Sequence, residues 1–343
     1  MKYAHKLRVS FCLLAMFIGM IILAHGQTNQ QHVIVSYVTA GTQPIPDPNL
    51  ITHINYAFGH VSEDFKAVKI DNPDRLKQIS ALKKQHPGLK VLLSIGGWGS
   101  GRFSEMAANE QYRLAFAKDC KRVVDDFNLD GIDIDWEYPT SAEANISASE
   151  HDYDNFTLLM QEIRNQVSSN KLLTLASIAD AQFIDFKAIE PLVDFVNIMM
   201  YDVGKPPYHH ASLYRSSLSG RVTCVEALQA HLDAGMPKNK LVLGLPFYGR
   251  GDKKAVPDFV LFKDLGTLKG FTEKWDDQAK VPYLVDAQGQ YVLTYENQQS
   301  LALKCEFIKQ SGILGAMYWE FAGDNQEQEL SHLLYNGLNG AAQ

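Results

Sequence analysis

The chain is short of cysteine, has no excess of positive charge and carries only one long apolar run, and each shortage removes a class of protein. Its 343 residues include 4 Cys, at positions 12, 120, 224 and 305. No CxxC or HxxxH spacing occurs among them, so neither a zinc site nor a dithiol centre is written in the sequence. Lys and Arg number 32 against 39 Asp and Glu, a net charge of −7; such a chain does not hold nucleic acid or anionic lipid by charge. The one long apolar run, Val9 to Ala24, follows Lys2, Lys6 and Arg8 and ends at Ala24-His25-Gly26. This is the pattern of a signal peptide over residues 1–26, since the run is short for a retained membrane anchor. Its removal takes the net charge from −7 to −10 and carries Cys12 away, leaving Cys120, Cys224 and Cys305 to form at most one disulfide. The expected product is a secreted or periplasmic monomer with no membrane partner. Asn145-Ile-Ser and Asn155-Phe-Thr fit glycosylation acceptors if the secretory route is eukaryotic.

What remains, residues 27–343, shows no linker, internal repeat or low-complexity tract. Short Val, Ile and Leu-rich runs alternate with longer amphipathic stretches, the signature of βα units feeding a parallel sheet. Candidate strands cover 32–38, 52–58, 90–96, 131–137, 172–178, 194–200, 241–247 and 313–319. Helical patterns fall between them at 74–85, 104–127, 153–168, 222–234 and 300–310. Eight strands separated by helices predict an α/β fold of the (β/α)8 TIM barrel type. Two connections break the rhythm. The first, TAGTQPIPDPNL (39–50), holds three prolines and has no room for a helix. The last, 251–297, is overlong and contains the hairpin pattern PYLVDAQGQYVLTY, which predicts a small α+β insertion between strands 7 and 8.

The fourth strand raises the functional question. LDGIDIDWEYP (129–139) sets four acidic side chains in a segment that otherwise reads as buried, and buried charge must pair, protonate or bind a cation. Side chains two apart share a face of a strand, so Asp133, Asp135 and Glu137 point into the lumen while Ile132, Ile134 and Trp136 face the helices. Active sites of such barrels lie at the C-terminal strand ends, which places Glu137 at the mouth, Asp135 below it and Asp133 deeper. Crowded carboxylates share protons, and the outermost, kept protonated near neutrality, is a general acid. Two other uses of the cluster stay open at this point: pairing with lysines and arginines, or a site for Mg²⁺ or Mn²⁺.

DGIDIDWE (130–137) has the DxxDxDxE pattern of glycoside hydrolase family 18, and its WEYP continuation resembles the chitinase branch. NYAF (55–58), SIGGW (94–98), MMYD (199–202), PFYGR (246–250) and Trp319 match further family positions in order, one element per strand, so the resemblance runs from Val33 to Trp319. It implies a retaining hydrolase of β-1,4 bonds next to N-acetylglucosamine that works by substrate assistance, without a carboxylate nucleophile. Its partner is a β-linked N-acetylglucosamine oligosaccharide or polysaccharide, with no cofactor and no metal. Endo-β-N-acetylglucosaminidases and non-catalytic lectin-like relatives share the scaffold.

On this resemblance Glu137 would protonate the glycosidic oxygen, Asp135 would accept the acetamide N–H and orient its carbonyl oxygen, and Asp133 would hold or share a proton with Asp135. Tyr201 would steady the acetamide oxygen. Trp319 would floor the site, with Tyr37, Phe58, Trp98 and Tyr138 as wall candidates and Met199 lining the acetamide pocket. Gly97, Asp202, Tyr248 and Arg250 match family contacts, Arg250 being equally placed for a rim ion pair. The chain departs from the family pattern at VGKPP after MMYD and in a short insertion, which imply a different sixth loop and a shallower groove.

Overall fold

The computed structural model describes residues 31–340; the segment assigned to a signal peptide lies outside the described residues. Eight parallel strands form the barrel: β1 (Val33–Thr39), β2 (His53–Val61), β3 (Lys90–Gly96), β4 (Gly131–Asp135), β5 (Leu172–Ile178), β6 (Phe195–Met199), β7 (Leu241–Pro246) and β8 (Gly315–Trp319). Each pairs in parallel with the next, and β8 pairs with β1 to close the ring. All eight predicted strands are present, with ends displaced by no more than a few residues.

The helices are α1 (Pro73–Ala81), α2 (Phe103–Ala108), α3 (Glu110–Asp126), α4 (Asp152–Gln166), α5 (Phe186–Ile189), α6 (Cys224–Asp233), α7 (Gln298–Ser311) and α8 (Glu329–Asn339). The single helix expected over 104–127 is in fact two. Asn109 breaks it, adopting an extended conformation and accepting from the amides of Gln111 and Tyr112 as the N-cap of α3. The connection over 39–50 carries no helix, as its prolines require. Beside β2 a short strand, Val68–Ile70, pairs antiparallel with it.

Strand alternation divides the apolar side chains into two cores. Ile34, Val38, Ile132, Ile134 and Trp136 join the layer between barrel and helices, where Trp136 stacks on Phe103 with ring centroids 5.3 Å apart. Val35, Tyr37, Ala57, Ala176, Phe195, Met199, Val242 and Met317 fill the lumen. The insertion is a five-stranded antiparallel sheet built from Tyr248–Gly251, Phe259–Leu261, Thr272–Asp276, Val281–Val285 and Tyr291–Thr294. Its predicted helical part is a 3-10 segment, Phe262–Thr267. Cys120, Cys224 and Cys305 are buried and unpaired.

Candidate active site

The register around β4 decides what happens to the acidic strand. Asp133 stands beside Ser94 of β3 and Thr174 of β5, and Asp135 beside Gly96. One oxygen of Asp133 therefore accepts from Ser94 at 2.8 Å and from the Tyr37 hydroxyl at 2.8 Å, the other from Thr174 at 2.5 Å and from the Asn197 amide at 3.2 Å. Donors from β1, β3, β5 and β6 thus enclose one carboxyl group. The expected proton-sharing contact with Asp135 is not formed: Asp133's bonding capacity goes to these four donors, and no hydrogen bond joins it to Asp135.

Asp135 and Glu137 are in the opposite condition. Asp135 is buried and its Oδ1 has no hydrogen-bond partner. Burial, then the charges of Glu137 and Asp133, push its carboxyl well above the usual carboxylate range. Burial also lifts Glu137 to about 7; the Tyr138 hydroxyl bonding to it works against the rise and Asp202 adds to it. Asp133 is raised too, burial outweighing its four hydrogen bonds. Tyr201 keeps its proton far into the alkaline range because it is buried and faces Asp135 and Glu137; among the described residues its hydroxyl donates to the Met317 sulfur, at 3.9 Å.

These groups open into a cavity of ≈ 290 Å³ at the C-terminal mouth, lined by Tyr37, Phe58, Trp98, Asp135, Glu137, Ala176, Met199, Tyr201, Asp202, Tyr248, Phe259 and Trp319. Most of the residues singled out in the sequence are therefore brought together. Trp319 stacks on Phe58 at 5.6 Å and leans on Tyr37 at 5.7 Å. A second cavity continues from the first and adds Tyr138, Glu143, Ile178, Arg221 and Arg250. Trp98, 62% exposed, lines both. Tyr138 faces its edge and stacks on Phe183.

Gly97 contributes by having no side chain. At φ 93° a Cβ there would lie 2.7 Å from the Phe58 ring, and one on Gly96 would lie 1.9 Å from the Asp135 carbonyl oxygen. The SIGGW segment needs both glycines so that β3 can end against the acidic strand. Arg250 takes the ion-pair role on the rim while still lining the outer cavity: Nη2 lies 3.2 Å from Asp258 and Nε 3.6 Å from Asp202. Burial would raise Asp202, but the buried His210 ring and Arg250 outweigh it and hold the carboxyl below its usual range.

The sequence reading missed four functional positions. Ser94, Thr174 and Asn197 were legible in principle, as polar side chains on the lumen parity of apolar strands. Phe259 was not; it stacks on Tyr248 at 4.3 Å and reaches the cavity from an insertion strand that carries no motif. Among the described residues no group of three or more His, Cys, Asp or Glu side chains converges as a metal site.

The chain is 34% identical over 301 residues to chitinase A1 of Niallia circulans, an alignment covering 74% of this chain and 43% of that protein, so it spans less than half the length of that relative. It is 31% identical over 334 residues to probable chitinase 2 of Drosophila melanogaster, covering 81% of this chain and 67% of the relative. Among solved structures it superposes with a TM-score of 0.81 on a glycoside hydrolase family 18 N-acetylglucosaminidase from Paenibacillus barengoltzii, at 33% identity, covering 90% of this chain and 100% of that one. The profile described as "Glycosyl hydrolases family 18" matches residues 28–324, and with the acidic strand standing at the mouth of a closed barrel, the chain belongs to glycoside hydrolase family 18.

Proposed function

We propose that this hydrolase is a chitinase, cleaving β-1,4 bonds next to N-acetylglucosamine with retention and using the substrate's own acetamide as the attacking group. The observation that carries the reading is the unpartnered, buried Oδ1 of Asp135 beside a carboxyl raised to about 7. A buried acceptor with nothing to accept is costly, and an acetamide N–H arriving from the sugar fills it.

The steps follow from what each group holds. Glu137, protonated below about pH 7, donates its proton to the glycosidic oxygen as the bond to the anomeric carbon breaks. Asp135 accepts the acetamide N–H, which aims the acetamide carbonyl oxygen at the anomeric carbon; that oxygen forms the new bond and an oxazolinium ion results. With the proton on Glu137, the like charge that helps to raise Asp135 is removed, so Asp135 serves as the carboxylate that stabilises this cation, and the protonated hydroxyl of Tyr201 donates to the acetamide oxygen. The ionised Glu137 then takes a proton from water, whose oxygen attacks the anomeric carbon from the face the leaving group vacated, while the bond from that carbon to the acetamide oxygen breaks and its electron pair returns to restore the neutral acetamide. Two inversions give retention. Trp319 and Phe58 supply the flat apolar floor, and Met199 lines the side that receives the acetamide methyl. Asp133, held by its four donors, acts from beneath as a fixed neighbour of Asp135.

The sequence-stretch 1–26 supports export, and we assign the mature chain to the secreted or periplasmic space on that pattern. A second reading, a glycosidase that trims single N-acetylglucosamine units, is favoured by the likeness to the Paenibacillus N-acetylglucosaminidase over that protein's whole length. One experiment tests the assignment: Glu137→Gln assayed on a chromogenic chitobioside, with wild-type products on defined chito-oligosaccharides and one N-glycan followed for length and anomer. Loss of turnover and β-anomeric dimers support the proposal, whereas monomer release favours the second reading. Unchanged turnover in the variant overturns both, and cleavage of the N-glycan alone moves the chain to the endo-β-N-acetylglucosaminidases. Chitin binding with no reducing ends released makes it a lectin.

A further inference from the structure

A polar relay outside the acidic site ties the Trp98 turn to strand β2. His60 follows Phe58 by two residues on β2, so both rings share a face, and their centroids lie 6.3 Å apart. The His60 ring bridges two other elements: Nδ1 is 2.8 Å from the Ser100 hydroxyl and Nε2 is 3.0 Å from Asp71. A carboxylate only accepts, so Nε2 carries the proton and donates to Asp71, and in the neutral ring Nδ1 accepts from Ser100. Asp71 is itself fixed, its amide donating to the Phe58 carbonyl at 2.9 Å and its carbonyl accepting from the Tyr56 hydroxyl at 2.8 Å.

The other end of the relay is the turn that carries Trp98. Gly97 donates to the Asp135 carbonyl at 2.8 Å and Ser100 donates to the Gly97 carbonyl at 2.9 Å, closing a tight turn with Trp98 at its exposed tip. Trp98 is 62% exposed and borders both cavities. Its indole has little packing to hold it, so the turn beneath must do so. Of the side chains bonded to this turn, His60 makes the link back to the barrel.

The connectivity Ser100, His60, Asp71 is also that of a nucleophilic triad. A triad carboxylate orients its ring from a buried site, however, and Asp71 is 48% exposed.

We infer that His60 is a positioning residue that fixes the Trp98 turn, and with it the grip on sugar units at the junction of the two cavities, without taking part in bond breaking. The inference rests on the proposed glycosidase reading, and two readouts separate their failures. Binding of chitotetraose is measured by calorimetry in the inactive Glu137→Gln background, and steady-state kinetics are measured on the tetramer and on a short aryl glycoside in the active enzyme. If the Glu137→Gln protein binds no chitotetraose, the parent reading fails. If it binds, His60→Ala and Ser100→Ala should each weaken binding about five- to tenfold, and raise KM on the tetramer similarly, with kcat within about twofold. His60→Asn, whose amide oxygen stands near the Nδ1 position and can accept from Ser100, should recover part of the loss. In a Trp98→Ala background His60→Ala should cost nothing further, because both changes remove one interaction. Additive losses, or a fall in kcat with KM unchanged, overturn the inference. Covalent labelling of Ser100 by a fluorophosphonate overturns it in favour of a nucleophile.

Discussion

The floor and the mouth of the barrel lumen hold the same chemistry in opposite states. Asp133 and Asp135 sit two residues apart on one face of one strand, both buried. Deep in the lumen, Asp133 is enclosed by Tyr37, Ser94, Thr174 and Asn197. At the mouth, Asp135 leaves an oxygen without a partner, next to Glu137. The difference is one of supply: flanking strands offer hydroxyls and an amide at the Asp133 level, whereas at the Asp135 level the neighbour on β3 is a glycine. A satisfied buried carboxyl is scaffold, and an unsatisfied one is an invitation to substrate. Proteins often keep such unmet groups where function needs them, at the expense of stability.

Substitutions can break this contrast, and the largest effect falls at the mouth. Glu137→Gln should lower kcat on an aryl chitobioside by about 10³-fold or more, the scale of a lost general acid. Asp135→Asn should follow with a loss of about 10²-fold, since orientation and charge at the oxazolinium both weaken; yet its denaturant midpoint should match or exceed wild type, because the protein bonds nothing to that Oδ1. Asp133→Ala reverses the pattern. It strands four donors and should cost about 3 kcal/mol of stability in urea unfolding, and an unchanged midpoint there would erase the distinction between the two levels.

A smaller effect sharpens the comparison through pH. Glu137 has an ordinary value of 4.5 and stands at about 7 in the fold. Between those limits the native protein holds a proton that the unfolded chain has lost, so stability drains away as pH rises from 4.5 and levels off above 7. Glu137→Gln cannot ionise and escapes that loss. Its Tm should equal wild type at pH 4 and exceed it by about 2–4 °C at pH 8. Wild-type activity should decline over the same alkaline limb, where the acid loses its proton. The smallest expected effect is that of a chelator. The four Asp133 donors leave that carboxyl little room to take a cation, so EDTA should change the rate by less than about twofold.

Much of this was legible in the chain. Apolar runs at regular intervals announced eight strands, and period-two alternation placed Asp133, Asp135 and Glu137 inside and Trp136 outside. Aromatic residues at strand ends, Trp98 and Trp319, were recognisable because a strand end in a barrel faces the mouth. What stayed hidden depends on contacts between distant segments. Strand register brings Ser94 and Thr174 to Asp133, and no local pattern states a register. The break at Asn109 in the helix after β3 stayed hidden because the amphipathic run continues across it. Phe259 and His60 take their meaning from a fold-back of the insertion and of the Val68–Ile70 hairpin, neither of which has a motif.

The central claim is that the sugar's own acetamide attacks, guided by Asp135. It is tested most directly by comparing kcat/KM for two aryl chitobiosides that differ only in the C2 group of the sugar at the cleavage point, N-acetyl against N-trifluoroacetyl. Fluorination leaves the shape nearly intact and drains the carbonyl oxygen of nucleophilicity, so the account predicts a fall of about 10²-fold or more, the scale of an interaction made only in the transition state. Equal rates for the two substrates would contradict it.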